Sequence, residues 1–475
     1  MRTLSQDDFS IFLDTLLRTV LESQYGESCW THLEGANLPE AVWHVLNDQD
    51  LWRDISGRVT LAGSTFDEVQ QQDYLQKVAR LFVERVVYRF RIPMLRITPQ
   101  PWDEERTARW RQEHAILAIL TGPETLSIVE TVKAIGEGRV GIPISGSRVI
   151  GVPEPQWTNG KGPASGGVVI GDDGNPCLVS FEQPLRIDTA LILNLSRKNE
   201  IDLHRRVTRE ARAEGVKVLN PASSATDAAD RKHIAHERWR SAGVDTPIWR
   251  FLPAGWPLDD IRKALQSIAE EVEQGMANGA GHTSVYVLPD DSTEGDRTRR
   301  FILTPENLEK TSEFITETIH PTGDALVRRE CGNIRFMLGG APKQAVLRLN
   351  VNRDFGDSWF YSGCWQVAGD LQGDVASVGC GGVLIGLEEP MDSLAAVVDG
   401  DWVTVPREFW NVPELTERAR RAVLALEQED SARDRVAFIG LDLIPSWYPG
   451  DRSLRWTVLE ANARPAGLGA AELIS

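Results

Sequence analysis

FIGLDLIPSWYPGDRSLRWTVLEANARPAGLGA, residues 438–470, is the stretch whose reading decides the fold. Two apolar runs, Phe438 to Pro445 and Leu454 to Ala461, flank a polar segment with a Pro-Gly turn, so an antiparallel strand pair is the simplest geometry. Asp442 and Glu460 then fall on neighbouring strands in apolar surroundings, where an unpaired carboxylate is costly. Spacing alone leaves two solutions open. Either arginines neutralise the two acids and Asn462 caps the turn that follows, or a hard cation such as magnesium takes all three as oxygen ligands. Glu460 and Asn462 are two apart and share one face of a strand. Arg464, two further on, is expected to extend that face with a fixed cation.

The rest of the chain bounds what such a site can serve. At 475 residues the sequence is expected to divide into about three lobes. With 25% charged and 41% apolar residues it reads as ordinary globular protein, and it holds no run of about 18 apolar residues that could span a bilayer. The N-terminus MRTLSQDDFSIFLDTLL has acids ahead of any apolar run and no cleavage pattern, which makes the cytoplasm the expected location. Five cysteines, scattered without a CxxC pair, fit reduced thiols. A net charge of −18 argues against DNA or RNA as partner, because phosphate-backbone binding needs a basic surface; any polyanion bound must be small.

Apolar residues at i, i+3 and i+4 recur over 9–21, 69–90, 106–120 and 125–135, which predicts a mainly helical accessory lobe over 1–140. Glycine, proline and serine dominate 136–174 and mark loops and short strands. TALILNL, EIDLHRRVTREARAEG and VKVLNP then read as strand, helix ending at Gly215, and strand, so an open α/β lobe is expected over 141–222. Helices are expected at 229–243, 258–275, 306–318 and 412–428, with strands dominating up to 387. The tryptophans of EPQWTNG and DSWFYSGCW read as core or as pocket lining.

IGLDLI, a turn and VLEANARPAGL together resemble the ATP-grasp pattern, in which an acidic strand residue precedes a Glu-x-Asn-x-Arg stretch. The resemblance implies an α/β protein built of α+β lobes: an ATP-grasp domain over 223–475, a preceding open α/β lobe and the N-terminal helical region. It implies that Asp442, Glu460 and Asn462 hold Mg2+, or Mn2+, on the phosphates of ATP, and that Arg464 supports the reacting group. SWYPGDRS lengthens the turn between the two acids. NPASSATDAADRKHIAHERWRSAGVDTPIWRFLP, 220–253, is similar to the segment that opens the grasp in such ligases, with Lys232 in the place of a lysine that reaches the phosphates.

The middle departs from the pattern: in SVYVLPDDSTEGDRTRRF, Leu288 stands where a second lysine is usual. The loop after it offers Glu294, Gly295 and Arg297 to the nucleotide, with Arg299 and Arg300 as further charges, or it is a plain surface loop. Glu330 in LVRREC matches a nucleotide-contacting acid at the hinge, and Arg348 in VLRLNV a phosphate-facing arginine; strand-surface charges are the alternative for both. The implied activity is ligation: ATP activates a small-molecule carboxylate as an acyl phosphate, an amine attacks it, and a lobe over about 247–346 closes as a lid. Phosphoryl transfer to a hydroxyl, or nucleotide binding without turnover, are the other classes. The accessory lobe is expected to shape the substrate end or to form a homodimer contact.

Overall fold

The computed structural model describes residues 100–474 except 112–113, 122–124, 142–146, 158–162, 172–173, 175, 194–199, 276–282, 292–296, 339–340, 354–357, 369–374, 377–382, 388–392, 399, 466–467 and 469–470. The helices expected at 9–21 and 69–90, and the loop residues Glu294 and Gly295, lie outside the described residues.

The first lobe runs β1 (Gln100–Trp102), α1 (Glu104–Arg111), β2 (Ala115–Thr121), α2 (Thr125–Gly136), β3 (Ser147–Pro153), α3 (Glu154–Trp157), β4 (Ala164–Ile170), β5 (Pro176–Leu185), β6 (Thr189–Ile192), α4 (Glu200–Ala213) and β7 (Lys217–Leu219). Its seven-stranded sheet has the order β1-β5-β4-β3-β2-β6-β7, with β3, β2, β6 and β7 parallel. Ile116, Ala118 and Leu120 of β2 feed one core, and Leu117 and Ile119 feed the core on the other face, so this central strand is apolar throughout. That corrects the single helix expected over 106–120. Only Glu104–Arg111 is helical, because the contiguous run AILAIL has no polar face to turn outward. The same sheet crosses the boundary expected at 140/141. Helix α4 does end as expected, with Gly215 at φ +74°.

After α5 (Ser224–Ala229) and α6 (Lys232–Ser241) comes a small lobe: β8 (Trp249–Leu252), α7 (Leu258–Gly275), β9 (Thr283–Pro289), β10 (Arg299–Leu303), α8 (Pro305–Phe314) and β11 (Ala325–Arg329). Its antiparallel sheet, β10-β9-β11-β8, carries α7 and α8 on one face over Val285, Val287, Leu252 and Val327. The helix expected at 229–243 is α6, which starts only at Lys232: Ala229 ends α5, and Arg231 is extended before the first turn of α6.

A large sheet completes the chain. It comprises β12 (Ile334–Leu338), β13 (Ala341–Arg353), β14 (Trp359–Val367), β15 (Val383–Ile385), β16 (Leu394–Val398) and β17 (Asp401–Thr404), then α9 (Val412–Leu426), β18 (Phe438–Ser446), β19 (Arg455–Asn462) and β20 (Glu472–Leu473). The long strand β13 pairs first with β12 and then, along the same edge, with β18. Helices α5, α6 and α9 cover one face through Trp239, Leu415, Ala419 and Val423, packed on Leu347, Leu349, Leu441, Leu443 and Trp365. Ile334, Phe336 and Ala345 belong to this core, so the lobe expected to run to 346 ends instead at Arg329. The protein is therefore a mixed α/β molecule of several sheets, as the sequence led one to expect. Trp157 and Trp365 are core residues. No described helix is long and apolar enough to cross a membrane.

Candidate active site

Alternation along β13, β18 and β19 sends leucines into the core and polar residues to the opposite face. On that face Cys364, Arg348, Asp442 and Glu460 form one row across β14, β13, β18 and β19, and Ser362, Asn350, Gly440 and Asn462 form the next. The antiparallel pair expected from the last two apolar runs is present, with Asp442 opposite Glu460 and Asn462 opposite Gly440. The register shifts after Asp442, because Leu443 pairs with Val458 and leaves Leu459 as the extra residue of a bulge. Without that bulge the parity upstream of Glu460 would place Leu459 in the core. Instead it joins Val346, Ile444, Cys331 and Ala376 in an apolar patch at the end of the polar rows.

Asp442 is paired with an arginine. Arg348 Nη2 donates to Asp442 Oδ2 at 3.0 Å, and Arg348 Nε also bonds to the same carboxylate. Burial works to lower the Arg348 pKa, but the Asp442 charge and hydrogen bond, with Glu460 beyond, hold it above its ordinary value. Gln366, with its amide turned toward its donors, accepts from Arg348 Nη2 at 2.9 Å. Asn462 Nδ2 lies 3.4 Å from Asp442 Oδ2. Glu460 has no ion pair among the described residues. Gly440 leaves room that a methyl group would fill: a Cβ there would sit 3.0 Å from Pro465 Cβ and 3.1 Å from Arg348 Cδ.

Lys232 stands at the first turn of α6 and is buried. Asp290, just after β9, holds that turn: its carbonyl accepts from Lys232 N (3.2 Å), and its carboxylate accepts from His233 N (2.8 Å) and contacts His233 Nδ1 (2.6 Å). His233 in turn stacks on Phe251, with ring centroids 4.0 Å apart. Phe251, Leu326 and Leu288 form one row of the small sheet, so Leu288 helps to make the apolar seat on which the start of α6 rests.

Glu330 sits in the short link between the small and large sheets and is bound on both sides, by Arg300 Nε (2.9 Å) and by Arg335 Nη2 (3.0 Å). The link is tight. Gly332 has φ +78°, and a Cβ there would come within 2.6 Å of Ile444 Cγ1. Arg297, also left-handed, donates to Thr322, and Arg299 lies over the rings of Phe301 and Phe314.

Arg464 does not extend the Glu460 and Asn462 face. Strand β19 ends at Asn462, so the alternation that justified the expectation stops there. The guanidinium turns instead to the first lobe, donating to Glu200 Oε1 (2.7 Å) and Asp230 Oδ1 (2.6 Å) and meeting His204 Nδ1 (2.9 Å). Burial, and then Arg464, lower the His204 pKa to about 3, while burial raises Asp230 to about 6 against the pull of Arg464. These partners lie 264, 260 and 234 residues from Arg464, and no local pattern announces them.

No group of three or more His, Cys, Asp or Glu poised for a metal exists among the described residues. The donor chemistry of Glu460, Asn462 and Asp442 nevertheless suits a hard divalent cation, two carboxylates and an amide oxygen in adjacent positions, with Asp442 shared with Arg348.

No family model matches the sequence, and no curated protein matches it. Similarity appears among solved structures. D-cycloserine synthetase matches at 13% identity and a TM-score of 0.41 over 75% of this chain and 95% of that one. D-alanine–D-alanine ligase from Bacillus anthracis matches at 13% and 0.38 over 74% and 87%, and the enzyme from Coxiella burnetii at 10% and 0.41 over 74% and 86%. Likeness this shallow leaves the site to be argued from its own residues.

Proposed function

We propose that this protein is an ATP- and Mg2+-dependent ligase of the ATP-grasp type, which activates a small-molecule carboxylate as an acyl phosphate and joins it to an amine. The observation that carries the reading is the polar floor, Arg348, Asp442 and Glu460 in one row with Asn462 beside it, with Arg328 of the small lobe reaching the Leu459 carbonyl next to it. Glu460 and Asn462, with Asp442, would hold the metal, which when bound would supply positive charge against a transferring phosphoryl group. Lys232 holds the nucleotide phosphates from the first turn of α6. Val346, Ile444 and Leu459 offer the base an apolar seat next to the link. The small lobe keeps water from the acyl phosphate. No covalent nucleophile from the protein is needed, and the thiols nearest the site, Cys331 and Cys364, are both pushed up to about 12 by burial.

The test is incubation with Mg-ATP and a pool of amino acids, followed by assays for phosphate, ADP and product. Amine-dependent phosphate release supports ligation, a phosphorylated product makes the protein a kinase, and neither makes it a binding module. Glu460→Gln and Asp442→Asn are expected to reduce turnover by about a hundredfold or more. Unchanged turnover in both would end the ligase reading.

A further inference from the structure

The small sheet has two faces. Val285, Val287, Val327, Phe301 and Leu303 face the helices; Ser284, Tyr286, Leu288, Arg300, Leu326, Arg328 and Trp249 face the other way. On this second face Arg300, Tyr286, Arg328 and Trp249 form a row across β10, β9, β11 and β8, one row from Leu288 and Leu326. Two residues along a strand is about 7 Å, a shift that a long side chain can span.

Four arginines could supply the charge missing at Leu288, and the register separates them. Arg299 falls on the helix side, over Phe301 and Phe314. Arg297 is turned to Thr322. Arg300 is on the correct face, but its guanidinium binds Glu330, the acid it shares with Arg335. Arg328 differs from all three. Its Nη1 crosses to the large sheet and donates to the carbonyl of Leu459 at 3.0 Å, the bulge residue next to Glu460. Among the described residues that partner is neutral, and no carboxylate forms an ion pair with Arg328. Its charge is nonetheless felt locally: after burial, Arg328 and then Lys232 hold the His236 imidazole well below its ordinary pKa. Arg328 and Lys232 therefore both lie near His236, and Arg328 reaches the strand residue next to Glu460.

We propose that Arg328 is a phosphate-binding residue which, with Lys232, supplies from β11 the charge that position 288 lacks on β9. The inference rests on the nucleotide reading above and deepens it. A partly buried guanidinium bonded to a neutral carbonyl gains most from an anion, and a polyphosphate bound by Lys232 provides one.

The test is equilibrium binding of ATP, adenosine and inorganic tripolyphosphate, each with Mg2+, to the full chain, followed by tryptophan fluorescence. Arg328→Gln is expected to weaken ATP and tripolyphosphate at least about tenfold and to leave adenosine within about twofold. Leu288→Lys added to that variant is expected to recover ATP affinity, and Arg328→Lys, which keeps the charge, to retain most of it should Arg328→Gln fail to fold. Unchanged ATP binding in Arg328→Gln overturns the proposal while leaving the nucleotide site standing. Parallel loss of ATP and adenosine also overturns it, because that is the mark of a strut between the sheets. A wild-type protein that binds no ATP overturns the parent reading as well.

Discussion

His204 is held neutral by its two neighbours. Its Nε2 meets the carbonyl of Asn220 at 2.9 Å and so donates, which leaves Nδ1 to accept from Arg464 at 2.9 Å. A second proton on Nδ1 would face a guanidinium, and burial already opposes the charge, so its pKa falls from 6.5 to about 3. With the folded pKa depressed, the stability contributed is complete above 6.5 and is lost as pH falls toward 3, since only the unfolded chain takes up the proton in that window. From pH 7.5 to 4.5 the unfolded state gains over about two pH units, or about 3 kcal/mol at 1.4 kcal/mol per unit. Asp230, raised to about 6, works in the opposite direction, because its protonation favours the folded state between 6 and 3.8. His204→Gln retains one donor and one acceptor and cannot titrate, and Asp230 is common to both proteins. Urea unfolding followed by tryptophan fluorescence is the assay. Wild type should lose about 3 kcal/mol more than His204→Gln between pH 7.5 and 4.5. Equal losses would refute the account of a neutral His204 wedged against Arg464.

Gly332→Ala should lower unfolding free energy by about 1–3 kcal/mol, through left-handed strain and the clash with Ile444, read from urea midpoints. Glu427→Ala removes the buried carboxylate whose Oε2 accepts from Arg353 Nη1 at 3.0 Å; a loss of about 3–5 kcal/mol is expected from the same measurement. Asp290→Ala removes the acceptor for His233 N and should cost about 1 kcal/mol in stability, seen by calorimetry as a lower Tm.

The strands that read most clearly were those buried on one face or both. IGLDLI and RWTVLEA gave the β18–β19 pair with Asp442 opposite Glu460, because an apolar run interrupted by one acid has few ways to fold. The amphipathic helix expected at 258–275 came out to the residue. AILAIL was misread as helix because a short apolar run carries no period. What the sequence could not express was direction beyond a strand end: two-residue spacing linked Arg464 to Asn462, yet the strand stops between them and the arginine turns to Glu200 and Asp230. Arg328 was invisible for a different reason, since its partner at Leu459 is a main-chain carbonyl 131 residues away.

The small lobe enters and leaves the chain at neighbouring points. Asp245 O accepts from Val458 N at 3.0 Å on the way in, Gly332 presses on Ile444 on the way out, and Arg329 N bonds to Ile248 O at 2.8 Å between the two crossings. Its sheet is closed within residues 249–329, whereas the large sheet must bring β13 to β18 and the Trp239 side chain to the Ala422 carbonyl, 183 residues away. Local pairing closes faster than distant pairing, so during synthesis the small lobe is a finished module before the platform under it has received its last strands.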